Sequence, residues 1–525
     1  MSFTQDPQFG EIVDFEALRP VLRQVYDAIT PDFNLLQTMH IMSEAFDDSP
    51  SHMIAAGASM LAYQMIPAAG DYELAEEIKG AGNIFSIGWT EEHCGTDLLS
   101  IRTAATPVGD DEDTRDYHIT GGKWMINNSY HADYHLVLAK LDPTQNGPRS
   151  LSLFLVPRSS CKNWKRLPTH VLRNMVLTEY EIDGPGQLVG NIGYGLQYVQ
   201  AMANAARYQC SYVGMRLVRE AIPESINWLS TKNIFGENPV NFSNVFRQLY
   251  NLALESALQQ FIFYRAYATN GGSSLQFNGT MLKSFLLLRV NETLMQNLLV
   301  AGSKGYVQSS IIGRNLIDAL VLPVFDGHYT LNTFMSAKHL KRYLTANEDV
   351  SPVERLNDLR QRLFNREVKN ELDANLREMR RPAFLDYERY VAALNLPVDL
   401  PFGQMIERMQ ALVNEVNDAV PSSDPEYKYK LGDLLHWMES VMAAAELWAV
   451  TENDNYLNAV VQQWNKFTNA FNDVVSEGGL SVDFMQPLRQ LPLPDVDDPR
   501  QFLLELCEVE LHVEASKLQG ALGAD

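Results

Sequence analysis

Cysteine is scarce in this chain. Cys94, Cys161, Cys210 and Cys507 are scattered over 525 residues, with no C-x-x-C or C-x-H spacing. That excludes a disulfide framework and a zinc site, and it points to a reducing compartment. Basic residues are also short: 42 Lys and Arg stand against 65 Asp and Glu, for a net charge of −23. Such a balance repels nucleic acid and anionic membrane and favours solubility. No apolar run approaches the ~20 residues of a membrane helix. Met1-Ser2-Phe3-Thr4-Gln5-Asp6 lacks the basic flank and apolar core of a signal peptide. A cytoplasmic protein with no membrane span and no nucleic-acid partner is expected. No internal repeat or low-complexity tract is present.

What remains is ordinary globular composition, 46% hydrophobic and 20% charged. The length exceeds one core, so about two to four domains are expected. Texture divides them. Residues 1–84 read as a short helical domain, with an apolar, Ala-rich stretch from Ile54 to Ile66. From 85 to 185 the chain turns to short alternating runs. Tyr117 to Trp124 reads as strand, turn, strand about Gly121-Gly122, and His135–Lys140 and Leu151–Val156 read as further strands. Residues 186–345 return to helix in four stretches, Leu196–Leu229, Val240–Thr269, Asn278–Ala301 and Ser309–Ala319, enough for a four-helix bundle. Residues 346–525 read as a C-terminal helical extension that carries most of the excess negative charge. The fold expected is mainly α with a central β domain.

Several short blocks punctuate this order: Thr90-Glu91-Glu92-His93-Cys94-Gly95-Thr96-Asp97, Lys123-Trp124-Met125-Ile126-Asn127-Asn128, Thr231-Lys232-Asn233-Ile234-Phe235-Gly236, and Gly302-Ser303-Lys304-Gly305-Tyr306. About twenty residues after the last glycine pair comes Val324-Phe325-Asp326-Gly327-His328. In order and spacing these blocks resemble the TEPxxGSD, KxWITN, RxxFG and GGxGY blocks of the acyl-CoA dehydrogenase superfamily, over roughly residues 50 to 345. The extended members with a C-terminal helical region are the nearest in outline. Counted from Tyr306, Asp326 falls on the family's catalytic Glu.

The resemblance implies FAD and the α,β-desaturation of an acyl thioester, on CoA or on a carrier protein. Asp326 would be the α-proton base. Thr90, Gly95, Thr96, Met125 and Asn127 would line the flavin from the β domain. Lys232 and Phe235 would hold the adenosine end from a second subunit of a homodimer. Ser243, Gly302, Gly305 and His328 fall at further cofactor positions, and Arg207 matches an arginine kept near the active site. An electron-transfer flavoprotein or oxygen would take the electrons. The chemistry agrees, since an α proton needs a positioned carboxylate and no side chain accepts hydride. The departures from the family pattern are concrete: Met125 replaces a Trp, Asn127 a Thr, Lys232 an Arg, Ser303 a Gly and Asp326 a Glu. The superfamily's nitroalkane oxidases use an Asp base, so a flavin oxidase or monooxygenase of a nitrogen-containing substrate is an alternative. A non-catalytic scaffold subunit is another.

Blander readings accompany each residue. Asp326-Gly327 is also a common turn pair. Arg207 also suits a buried ion pair. His93 and Cys94 suit structural loop positions. Trp437, Trp448 and Trp464 suit core packing, and Arg355–Arg381 suits a solvated helix face.

Overall fold

The computed structural model describes residues 5–6, 10–11, 13–29, 35–46, 49–109, 114–268, 274–345, 394, 396–419, 425–478 and 480–507. These fall into two compact units, one running through Val213 and the other beginning at Gly214.

The first unit opens with a short antiparallel pair, β1 (Gln5–Asp6) and β2 (Gly10–Glu11). Four helices follow: α1 (Phe15–Asp27), α2 (Leu35–Ala45), α3 (Pro50–Ala68) and α4 (Tyr72–Ile78). Asp14 caps α1 by accepting from the backbone of Glu16 and Ala17, which satisfies donors the helix start leaves open. The strands are β3 (Phe85–Gly88), β4 (Ala104–Pro107), β5 (Asp116–Asn127), β6 (Tyr134–Lys140), β7 (Leu151–Pro157), β8 (Cys161–Arg166) and β9 (Leu177–Val189). They form one sheet in the order β3-β6-β4-β5-β9-β7, and β7 pairs back onto β6, so the ladder closes on itself. Closure leaves few bare edges. Alternate residues fill the interior, among them Tyr117, Ile119, Ile126, Phe154, Tyr180 and Ile182.

One expectation fails here. Residues 117–124 are not strand, turn, strand but part of the single strand β5, because Gly121 and Gly122 continue the ladder opposite Ile182 and Glu181 of β9. The irregularity lies further on, between Lys123 and Ile126, where the register shifts. Trp124 there donates its N–H to Thr90 O instead (3.0 Å), and Met125 takes φ +59°.

The helix α5 (Gly195–Ser230) gives its first half to the first unit. In the second unit stand α6 (Ser243–Ala268), α7 (Ser274–Met281), a π-helical turn (Leu282–Leu286), α8 (Leu287–Ala301), α9 (Ile311–Ala319) and α10 (Tyr329–Thr345). The fourth expected bundle helix is therefore a nine-residue helix. The long one is α10, whose start was hidden because His328, not a Ser, Thr or Asp, accepts from the first-turn N–H of Thr330. Beyond it come α11 (Phe402–Ala419), α12 (Pro425–Thr451), α13 (Tyr456–Gly478) and α14 (Pro499–Cys507). The basic stretch Arg355–Arg381 lies outside the described residues. No helix among the described residues is long and apolar enough to cross a membrane.

The added helices join α6 and α8 through buried charge. Arg265 of α6 lies between Glu439 (2.9 Å) and Glu446 of α12. Glu255 of α6 meets Arg289 of α8 at 2.6 Å and Lys466 of α13 at 2.5 Å. Trp464 is wholly buried and its Nε1 donates to Gln486 O at 3.1 Å, as core packing requires. Trp437 meets Phe285 edge-on at 4.8 Å, and Trp448 donates to Asp454 at 3.3 Å.

Candidate functional site

In the first unit, the β5 irregularity and the loop after β3 bring Thr90 and Met125 to one place through the Trp124–Thr90 backbone bond. Met125 is exposed, since the left-handed residue turns its side chain off the sheet. Asn127 accepts from the Asn128 N–H at 2.9 Å, while its Nδ2 donor is buried without a partner. Trp89 Nε1 is a second buried donor in the same condition. Two orphaned donors beside an exposed methionine fit a group rich in acceptors, which a flavin ring is. Gly95 and Thr96 are exposed, and a side chain at Gly95 would meet nothing.

Glu91 occupies the same loop in a different condition. One oxygen accepts from Thr103 Oγ1 (2.6 Å), Thr103 N (3.1 Å) and the buried ammonium of Lys123 (3.0 Å), and the other from Arg102 N (2.8 Å). Burial pushes its carboxyl up, but Lys123 and these donors outweigh that and hold it below the usual range. Glu91, His93 and Cys94 bring one ligand atom each within 4.8 Å of one another. The Glu91 oxygens are already engaged, and His93 Nε2 lies 3.1 Å from Ser100 O, so the group reads as loop structure.

Arg207 was expected near substrate or in an ion pair. It is 8% exposed, donates to Asn204 Oδ1 at 2.8 Å, and leaves Nε without an acceptor. No carboxylate pairs with it among the described residues, and burial lowers its proton affinity.

In the second unit, Lys232 Nζ lies 3.3 Å from the centre of the Trp228 ring, and Lys304 approaches the same ring at 5.2 Å. Two cations on one indole fit a phosphate-bearing group. Trp228 was not singled out in the sequence, because an aromatic inside a helical run gives no local signal. Phe235 tops a tight turn at φ +55° and is wholly exposed, and Ser243, also exposed, opens α6. Gly302 caps α8 at φ +63°. Gly305 is required by packing, because a side chain there would strike Leu298 at 2.9 Å.

Asp326 follows α9 in a left-handed turn at φ +53°, with Gly327 at φ +96°. An L residue holds that conformation only where its surroundings fix it. Asn332 Nδ2 donates to Gly327 O (2.8 Å) and His328 O (3.2 Å), and Tyr329 N to Pro323 O (2.9 Å). His328 Nδ1 and Thr330 Oγ1 are 2.7 Å apart. The Asp326 carboxylate accepts no hydrogen bond among the described residues. Asp326 is exposed, yet the protein around it desolvates the carboxyl enough to push its pKa up, against the opposing field of Lys283. An exposed acid that accepts no donor among the described residues can hold or take a proton from a ligand.

This architecture is an acyl-CoA dehydrogenase fold. Residues 86–183 match the acyl-CoA dehydrogenase middle domain and residues 193–340 the acyl-CoA dehydrogenase C-terminal domain. The (2S)-methylsuccinyl-CoA dehydrogenase of Cereibacter sphaeroides is 25% identical over 269 residues, 48% of this chain and 48% of that protein. The chain thus spans about half the length of that curated relative. Caenorhabditis elegans ACDH-11 in complex with C11-CoA superposes with a TM-score of 0.65 at 16% identity, covering 88% of this chain and 81% of that one. The prolyl acyl carrier protein oxidase AnaB gives 0.55 at 18%, covering 63% and 91%. The two matched domains place residues 86–183 and 193–340 in the acyl-CoA dehydrogenase superfamily, a family of FAD-binding flavoproteins.

Proposed function

We propose that this protein dehydrogenates an acyl-CoA at the α and β carbons, with Asp326 as the base that takes the α proton. The carrying observation is the Asp326 carboxylate itself: short of donors, raised in proton affinity, and held by an over-determined turn. A base of this kind is matched to a weakly acidic carbon better than one saturated with hydrogen bonds. Bound FAD supplies the acceptor for the β hydride. Trp89 Nε1 and Asn127 Nδ2 would donate to the flavin ring, with Met125 against its face and Thr90 and Thr96 beside it. Lys232, with Trp228 and Lys304, would hold the phosphate-bearing end. Arg207, a guanidinium that meets no carboxylate among the described residues, would orient an oxygen of the substrate. The neighbour that binds C11-CoA supports a CoA thioester, and the carrier-protein oxidase keeps a carrier-bound substrate as the second reading. A homodimer that passes its electrons to an electron-transfer flavoprotein completes the proposal.

The test is Asp326→Asn in the flavin-loaded protein, followed by bleaching of the flavin on mixing with acyl-CoA. We expect the bleaching rate to fall by roughly 10²–10⁴-fold with the flavin spectrum intact. Bleaching at the original rate would falsify the assignment of the base. Protein that is colourless as purified and takes up no FAD would sink the enzymatic reading as a whole.

A further inference from the structure

Lys283 belongs to no motif, yet among the described residues it is the lysine that the second unit buries most completely without a carboxylate against it. It stands in the π-helical turn Leu282–Leu286 between α7 and α8. A π turn inserts an extra residue into a helix at a cost in regular hydrogen bonding, and such turns are frequent at functional sites. Lys283 Nζ donates to Leu322 O at 2.5 Å and lies 4.4 Å from the centre of the Phe325 ring. No ion pair to it is present among the described residues. A wholly buried ammonium with one backbone acceptor and one aromatic face is less stable than an apolar side chain of similar volume. The position calls for a reason other than packing.

The reason lies in what those two contacts bracket. Leu322 and Phe325 are the ends of the segment that leads into Asp326. Val324 N and Phe325 N both donate back to Val321 O, at 2.9 and 3.3 Å, so the segment is a closed turn that Lys283 contacts at both ends. Asn332 holds the following residues, Gly327 and His328, from α10. Among the described residues, the other titratable groups around the turn are His328, engaged with Thr330, and Tyr329, whose field reaches Tyr429 on α12. Lys283 is, among the described residues, the cation whose field reaches the Asp326 carboxylate.

We infer that Lys283 is a positioning residue for Asp326: it fixes the Leu322–Phe325 turn and brings a positive charge to the residues that adjoin the carboxylate. The inference rests on the reading of Asp326 as the base, and it has a readout that does not. In full-length protein carrying ¹³C-carboxyl aspartate, the Asp326 resonance is assigned by its loss in D326N and titrated in wild type, K283M and K283R. Removal of the charge in K283M should raise the Asp326 midpoint by about one pH unit or more. Lys283→Arg should restore most of the wild-type value. The acid limb of kcat should rise with the midpoint, while KM changes less than about twofold, because Lys283 does not touch substrate. Should K283M not fold, Lys283→Gln keeps a donor for Leu322 O without the charge and carries the same measurement. An unmoved Asp326 midpoint in folded K283M or K283Q, or a K283R that shifts as far as K283M, overturns the inference. A fully active D326N would sink the base instead and leave the resonance to decide on Lys283. An inactive D326N with an unmoved resonance would sink Lys283 alone.

Discussion

Glu91 and Asp326 are two acids in two units of one chain, and their surroundings are opposite. Glu91 is buried and accepts four hydrogen bonds, one of them from a wholly buried ammonium. Its charged form is so well served that it has no appetite for a proton. Asp326 is exposed, accepts none among the described residues, and meets its lysine only through space, by way of a turn. The contrast separates an acid built into the fold from one suited to take a proton, the role proposed for Asp326: what decides is how many donors the fold aims at the oxygens.

The sharpest way to break that comparison is to neutralise both acids. Asp326→Asn should cost turnover, as above, and leave melting little changed. Glu91→Gln should do the reverse. It strands Lys123 in the interior, so we expect a loss of about 3–5 kcal/mol in denaturant unfolding, with turnover per folded molecule retained. If E91Q instead lost activity at unchanged stability, the division of roles would be wrong.

Glu255 extends the comparison to pH. Burial opposes its ionisation, but Arg289 and Lys466 hold its carboxyl down at about 2. A depressed carboxyl contributes stability that is present above the ordinary Glu range, about 4.3, and is lost as pH falls toward 2. Wild type should therefore lose melting temperature steeply below about pH 4, and Glu255→Gln should flatten that fall while melting lower at pH 7.

Asp433 should give the smallest effect and the opposite sign. Burial, with Glu292 adding to it and the Trp437 hydrogen bond opposing, lifts its carboxyl to about 6. A raised carboxyl contributes stability that is complete below about 4 and is lost as pH rises through 6. Asp433→Asn should melt slightly higher than wild type at pH 8 and no higher at pH 4. Equal melting at both would show that solvent already relieves this group.

Much of the molecule was legible before any coordinates. Alternation marked β6 and β7, three- and four-residue spacing marked α5 and α6, and the order of the blocks pointed to the superfamily. The Gly121-Gly122 turn failed because a glycine pair can sit in a ladder when both neighbours pair, and only the partner strand β9 decides that. The start of α10 failed because a histidine caps it. Trp228, Lys283 and the orphaned donors of Trp89 and Asn127 had no local signature at all, since burial and missing partners are properties of the surroundings.

Sequence alone determined the class of most described segments and the residue types available for chemistry, because periodicity and turn preference are local. Tertiary structure alone decided which acid is saturated and which accepts no donor among the described residues. Proton affinity depends on donors and charges brought from distant segments: Lys123 lies 32 residues from Glu91, and Lys283 stands well upstream of the turn it grips.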